Sequence, residues 1–165
     1  MATLINADVS TGGAIITGDG SGSLALQGAG VTQLTVTSTG VTFASAVPLP
    51  SGSVLTNPTV TNYTETRFTA NSSTAITLNL ANGTMQDITL TGTATITMPT
   101  VAAGKSFILL LRSGAGSYTV TWTTVKWPGG TAPTITATAS KLDIYSFFSD
   151  GTNWYGVTVN QNYTP

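Results

Sequence analysis

Two residue types with versatile side-chain chemistry are missing from this sequence, which contains no cysteine and no histidine. Without cysteine there is no disulfide framework and no thiolate nucleophile, and without both residues the usual zinc sites cannot form. Most nucleophile–base pairs in enzymes also need one of the two. The sequence therefore favours a protein that is not an enzyme, and we expect no catalytic residues, no metal site and no cofactor.

Charge is also scarce, because charged residues make up 7% of the chain against roughly 25% in typical soluble domains. Soluble monomers usually carry charge on their surfaces. A surface of Thr, Ser, Asn and Gly instead favours a protein that is packed in an assembly, although exposure to salt or proteases is an alternative explanation. The net charge of −1 and the absence of a basic stripe argue against a nucleic-acid partner.

Long apolar runs are missing as well. The longest, Phe107–Leu111, is far too short to cross a bilayer. The first residues, Met1–Asn6, have neither the charged nor the apolar region of a signal peptide. We therefore expect no membrane association.

Short stretches of alternating apolar and polar residues are abundant, and no window has helical periodicity. Between residues 65 and 165 they predict about eight strands at the spacing typical of a β-sandwich or jelly roll. Two of these stretches, Phe107–Leu111 and Ile144–Phe148, are apolar at successive positions, which predicts strands buried on both faces. The expected fold class is all-β, with a β-sandwich or jelly-roll-like C-terminal domain.

The stretch 141–159 predicts a β-hairpin around which this domain is organised. Large apolar and aromatic residues lie on both sides of Asp150-Gly151, a dipeptide that accepts the positive φ angles of a primed hairpin turn. We expect the remaining strands to pack around this hairpin.

Residues 1–46 are predicted to form an extended, Gly- and Thr-rich β-arm, and residues 47–64 a proline-containing linker. None of the short strands of the arm has enough apolar surface to fold alone, so pairing with another chain would satisfy its backbone groups. A floppy tail is the alternative. The residues expected to contact a partner are the apolar ones of the arm: Leu4, Ile5, Ile15, Ile16, Leu24, Leu26, Leu34 and Val36.

Two kinds of side chain remain as candidates for site chemistry. A glycosidase would need two carboxylates in one cleft, and Asp87 and Asp143 are the pair that could meet across a sheet. The aromatic residues Trp122, Trp127 and Tyr155 could stack on sugar rings or lie in a subunit interface or the core. Trp127, beside a Pro-Gly-Gly turn, is expected to be the most exposed of them.

Two segments resemble bacteriophage proteins. GDGSGSLALQGAGVTQLTVTSTGVTF (18–43) resembles the Gly-punctuated strand segments of phage fibre and tail proteins. VKWPGGTAPTITATASKLDIYSFFSDGTNWYGV (125–157) is similar to β-modules that close many phage virion proteins. The resemblance implies a trimeric, non-enzymatic virion component and carries over no catalytic residues.

The chain has no recognisable baseplate-anchoring domain or long shaft, which favours a small protein on the phage head over a tail fibre. We therefore expect a capsid decoration (cement) protein that is made in the bacterial cytoplasm and located on the virion surface. Its expected partners are two further copies in a homotrimer and the major capsid protein or other virion proteins. The alternatives are a short fibre whose aromatic residues bind a host surface glycan and, less favoured, a glycan-degrading enzyme.

Overall fold

Residues 23–28, 31–43, 54 and 56–165 are described in a computed structural model of the chain. The chain divides into two units, Met1–Thr59 and Val60–Pro165. The boundary falls within the segment 47–64, whose prolines indicate a linker.

The described part of the N-terminal unit is a three-stranded antiparallel sheet. Its strands, in chain order and in sheet order, are β1 (Ser23–Gly28), β2 (Val31–Thr37) and β3 (Gly40–Phe43). Leu26 pairs with Leu34, and Leu34 pairs with Phe43, so these apolar residues form a row across one face. Since neighbouring residues of a strand point to opposite faces, the Thr35–Thr42 pair lies on the other face.

The C-terminal unit contains nine strands and two single-turn 3₁₀ helices, Leu80–Asn82 and Pro128–Gly130. The strands are β4 (Arg67–Ser72), β5 (Ala75–Thr77), β6 (Met85–Leu90), β7 (Ala94–Thr97), β8 (Ser106–Ser113), β9 (Val120–Thr123), β10 (Val125–Lys126), β11 (Leu142–Ser149) and β12 (Trp154–Tyr163). They form a six-stranded sheet in the order β10-β12-β11-β8-β6-β4 and a three-stranded sheet in the order β5-β7-β9. The expected all-β class is confirmed.

The first six of these strands alternate between the two sheets. Strands β4, β6 and β8 pair in parallel in the larger sheet, and β5, β7 and β9 pair in parallel in the smaller one. Each consecutive pair of strands, one from each sheet (β4–β5, β6–β7 and β8–β9), therefore forms one coil of the chain. Each coil stacks on the coil before it, as in a β-solenoid. A jelly roll has antiparallel strands, so this part of the prediction is not confirmed.

Glycine occupies the corners where one coil passes closely over the previous one. A Cβ atom on Gly92 would lie 2.3 Å from the carbonyl oxygen of Ser73, and one on Gly114 would lie 2.2 Å from that of Leu90. The Gly114 amide also donates to the Leu90 carbonyl at 3.0 Å. The absence of a side chain at these corners lets the coils stack at backbone distance.

The core lies between the two sheets and is apolar and aromatic. Tyr145, Phe147 and Trp154 of the β11–β12 hairpin are fully buried in it. The Phe147 ring stacks on Phe107 at a centroid distance of 4.8 Å. The Trp154 indole N–H donates to the Pro99 carbonyl at 2.8 Å, which satisfies its one buried polar group. The predicted hairpin is thus the central element of this unit.

The loop of this hairpin differs from the primed turn predicted from Asp150-Gly151. Ser149 pairs with Trp154, so the loop spans residues 150–153. Of its residues, Gly151 has a positive φ of 96°, and Asp150 does not have one. The Asp150 carboxylate instead accepts hydrogen bonds from the backbone N–H groups of Thr152 and Asn153, both at 2.8 Å. Asp150 therefore shapes the loop through its side chain.

Candidate interaction surfaces

Asp87 is fully buried on β6 and pairs with arginines from both neighbouring strands. Arg112 of β8 donates to its two carboxylate oxygens, from Nε at 2.7 Å and from Nη2 at 3.1 Å. Arg67 of β4 donates to the same carboxylate from its Nη2. Burial raises the pKa of Asp87, but the two guanidinium groups more than offset burial and hold this pKa below its usual value. Asp87 thus ties three parallel strands together.

Asp143 of β11 is buried as well, and backbone and side-chain donors surround it. Its Oδ2 accepts from the Thr136 amide at 2.7 Å, the Gln161 side chain at 2.9 Å and the Tyr145 hydroxyl at 3.2 Å. Its Oδ1 accepts from the Asn162 amide at 2.9 Å. Burial raises the pKa of Asp143, but these donors bring it below its usual value. This carboxylate holds the end of β12 and the 134–136 loop onto β11.

The structure does not bring the two carboxylates into one cleft. Asp87 pairs with Leu110, and Leu110 pairs with Ile144, so these three residues lie on one face of the six-stranded sheet. Asp143 is next to Ile144 in sequence and therefore points to the opposite face. The carboxylate pair that a glycosidase would need is therefore not formed by Asp87 and Asp143, because sequence alternation does not reveal which face of a neighbouring strand a residue shares.

Trp127 is not the exposed aromatic residue that its Pro-Gly-Gly neighbours predict. Its side chain belongs to the core, with 9% of the residue exposed. Its ring lies edge-to-face against Trp122 at 5.2 Å and against Phe147 at 5.7 Å. A Cβ atom at position 156 would lie 2.7 Å from this ring, so Gly156 provides the space in which it packs. Trp122 is half-buried and packs against the same cluster.

Tyr155 is half-buried, and together with Phe148 it forms a stacked pair at the surface. The two rings are 5.1 Å apart and inclined by 16°, and 55% of Phe148 is exposed. The Tyr155 hydroxyl donates to Asp150 at 2.9 Å, which raises the pKa of Tyr155. The backbone N–H groups of Asn153 and Thr152, with the Tyr155 hydroxyl, lower the pKa of Asp150. Sequence reasoning found Tyr155 but missed Phe148, since only the strand register places the two opposite each other.

The residues predicted for the arm are described in part. Leu4, Ile5, Ile15 and Ile16 lie outside the described residues. Leu24 lies in β1 and pairs with Val36 of β2.

The sheet of the N-terminal unit presents large apolar side chains on one face. Leu34 is half-buried, whereas its cross-strand neighbours Leu26 and Phe43 are 44% and 51% exposed. Val36 is half-buried, and its neighbour Val41 is 55% exposed. The residues predicted to contact a partner did not include Val41 and Phe43, although both are apolar residues of a short strand that alternate with Thr42.

The C-terminal unit has two outer faces of opposite character. The outer face of the three-stranded sheet carries a row of threonines, for example Thr97 of β7 beside Thr123 of β9. The outer face of the six-stranded sheet is mainly apolar, and we call its part on β6, β8, β11 and β12 the apolar outer face. Its apolar members are Met85, Ile108, Leu110, Leu142, Ile144, Phe148, Tyr155, Val157 and Tyr163, with Val159 at the bulge opposite Ile144.

In the described part of the chain, no three acidic side chains lie close enough together to hold a metal ion. The same residues contain no helix with the length and apolar character needed to span a membrane.

Comparisons with protein families, with curated proteins and with solved structures find no match to this chain.

Proposed function

We propose that this protein is a non-enzymatic structural subunit of a bacteriophage virion, a trimeric capsid decoration protein that binds the head through its N-terminal part. The observation that carries the proposal is the apolar face of the β1–β3 sheet. Leu26, Val41 and Phe43 are each about half exposed on it, and large apolar side chains gathered on one surface are typical of binding sites.

The geometry of this sheet suits docking onto another protein. A sheet of three short strands gains stability when its apolar face is packed against another layer. Among the described residues, β1 is an outer strand of this sheet, and outer strands can add to the sheet edge of a partner through their backbone groups. A capsid subunit with an apolar surface and an open sheet edge would provide both kinds of contact.

The buried carboxylates support a structural role for the C-terminal unit. The carboxylate oxygens of Asp87 and Asp143 accept hydrogen bonds that join strands and loops. Both side chains have lowered pKa values, which makes them poor proton donors at neutral pH. In fold terms, we place this unit with the two-layer β-sandwiches, with coils of parallel strands in place of a jelly roll.

Quantitative mass spectrometry of purified phage particles tests the proposal. We expect a copy number comparable to that of the major capsid protein. A copy number of a few per cent of that value would place the protein on the tail or at a unique vertex, and its absence from particles would refute a virion role.

Variants of the N-terminal sheet test how the protein binds. We expect Phe43→Asp to abolish binding to undecorated heads, because it places a charge on the apolar face. The control is Thr42→Asp, which places the same charge on the opposite face of the same strand. Equal binding by the two variants would contradict a role for the apolar face.

One observation favours a second function, the recognition of a host surface glycan. The stacked Phe148–Tyr155 pair lies beside the Asp150 carboxylate, and aromatic rings next to a hydrogen-bond acceptor suit a sugar ring. Binding to a glycan array that is lost in Tyr155→Ala, but kept in Tyr63→Ala, would support this function. Tyr63 is a suitable control because it is an exposed tyrosine outside the Phe148–Tyr155 pair.

A further inference from the structure

We infer that the apolar outer face of the six-stranded sheet is the contact surface between copies of this chain. The inference deepens the proposed function, on which it rests, by naming the surface through which the decoration protein forms its oligomer.

The two outer faces of the C-terminal unit provide an internal comparison. Strands β7 and β9 place threonine at each outward position, as expected of sheet surfaces in contact with water. Strands β8 and β11 place Ile108, Leu110, Leu142 and Ile144 outward instead. The same unit therefore has a polar outer face and an apolar one, and the apolar one has the composition of a contact surface.

The size of the apolar outer face matches a subunit interface. Phe148, Val157, Val159 and Tyr163 are each 40–55% exposed, and the other apolar residues of the face are half-buried. Together they expose on the order of 500 Å² of mainly apolar surface, near the largest patch of a typical monomer. A standard interface of about 800 Å² per partner surrounds an apolar centre with a polar rim, so a centre of this size fits such an interface.

The shape of the face favours another sheet as the occupant. Four adjacent strands with a spacing of about 4.8 Å make a surface roughly 15 Å wide. One extended peptide covers a single strand spacing and would leave most of this width open. In a trimer, the same face of two further copies meets it around the three-fold axis, and three sheets of this width can cover one another's apolar sides.

The charges on the face also fit a contact between identical chains. Asp87 and Arg112 are paired with each other, so burying them together leaves no unpaired charge. Arg67 lies on the edge strand β4, with 52% of its side chain exposed, and Asp150 lies in the exposed loop beside Tyr155, so both charges stay at the rim. A neutral, apolar centre can therefore contact the same face of neighbouring copies around a three-fold axis without charge repulsion.

Analytical ultracentrifugation of the full chain and its variants tests the interface. We expect the wild type to form an oligomer and Val157→Asp to weaken association by about 100-fold or more, because a carboxylate would be buried without a partner. Thr121→Asp is the matched control, since threonine and valine have the same shape and Thr121 is exposed on the polar outer face. The near-ultraviolet circular dichroism of the buried tryptophans checks that each variant folds.

A thiol-protection measurement keeps the test independent of that variant. The chain has no cysteine, so Ser146→Cys places one thiol between Ile108 and Val157 at the centre of the face. We expect it to react with a thiol reagent at least tenfold more slowly at high than at low protein concentration. Thr121→Cys on the polar face should react at the same rate at both concentrations.

The outcomes separate this inference from the proposed function. An oligomeric wild type in which Ser146→Cys is unprotected, or in which a folded Val157→Asp associates normally, would overturn the interface and leave the virion role standing. A wild type that stays monomeric at all concentrations would overturn the interface and the trimer together. Particle copy number tests the virion role separately.

Discussion

At the scale of single residues, buried carboxylates decide how the C-terminal unit is tied together. Asp143 connects segments that are distant in sequence, because its four donors come from the 134–136 loop, from β11 and from the end of β12. Its neighbour Tyr145 is fully buried, and burial and the Asp143 carboxylate raise the pKa of this phenol far above its usual value. The network therefore favours a charged Asp143 and a neutral Tyr145.

The stability of the protein should fall in acid partly through Asp143. A carboxyl group with a lowered folded-state pKa stabilises the fold above its unfolded pKa near 4, and this contribution is lost as the pH falls through the folded-state pKa. We expect Asp143→Asn to reduce the free energy of unfolding at pH 7 by about 3 kcal/mol. Urea unfolding at pH 7 and pH 3 measures the change.

The difference between wild type and Asp143→Asn should shrink at pH 3, because the carboxyl of the unfolded wild type takes up a proton below about pH 4 while the folded-state pKa of Asp143 is lower. Glu65→Gln is the control, since Glu65 is exposed and its hydrogen bonds to Tyr63 and Thr84 are at the surface. A constant difference at both pH values would show that the charge of Asp143 is not what stabilises the network.

At the scale of elements, the stacking of the coils depends on corners without side chains. Gly114 follows β8 directly, at the point where the chain leaves the larger sheet for the smaller one. The Leu90 carbonyl occupies the space where a Cβ atom would lie. The three stacked coils therefore require glycine there for packing, independently of any φ requirement.

Gly114→Ala should destabilise the C-terminal unit by about 3 kcal/mol, because the corner must move away from the coil beneath it. Gly104→Ala is the comparison, since φ at Gly104 is 75° and a Cβ atom there would meet nothing within 4 Å. It should cost only about 1 kcal/mol from backbone strain. Thermal and urea unfolding of both variants measure the difference, and equal losses would contradict a steric role for Gly114.

The sequence predicts the elements better than their partners. Alternating residues and turn residues reveal the strands and the central hairpin, because the side of a strand to which a residue points and the residues of a turn are local properties. The parallel pairing of β4, β6 and β8 is a long-range property. The same alternation of apolar and polar residues is compatible with parallel and with antiparallel pairing, so it does not predict which one forms. The burial of Trp127 depends on Gly156, a residue 29 positions away along the chain. The ion pairs of Asp87 and the stacking of Phe148 on Tyr155 likewise depend on the register between strands, which the sequence does not reveal.

At the scale of the whole molecule, few charges are left for interactions with partners. The chain has five basic and six acidic residues. Two of the basic residues, Arg67 and Arg112, share the buried carboxylate of Asp87. The surfaces we assign to assembly are apolar, namely the face of the β1–β3 sheet and the apolar outer face. Association by such surfaces is driven by the removal of apolar area from water.

Association of the full chain should therefore resist sodium chloride and become stronger in ammonium sulfate. Sodium chloride screens charge pairs at surfaces, whereas sulfate favours the burial of apolar surface. We expect the oligomer to persist between about 0.05 M and 1 M sodium chloride, where the Debye length falls from roughly 14 Å to 3 Å, and its dissociation constant to decrease in ammonium sulfate. Analytical ultracentrifugation in both salt series measures this. Dissociation at high sodium chloride would indicate that ion pairs between copies hold the assembly together, and the apolar outer face would then not be its main contact.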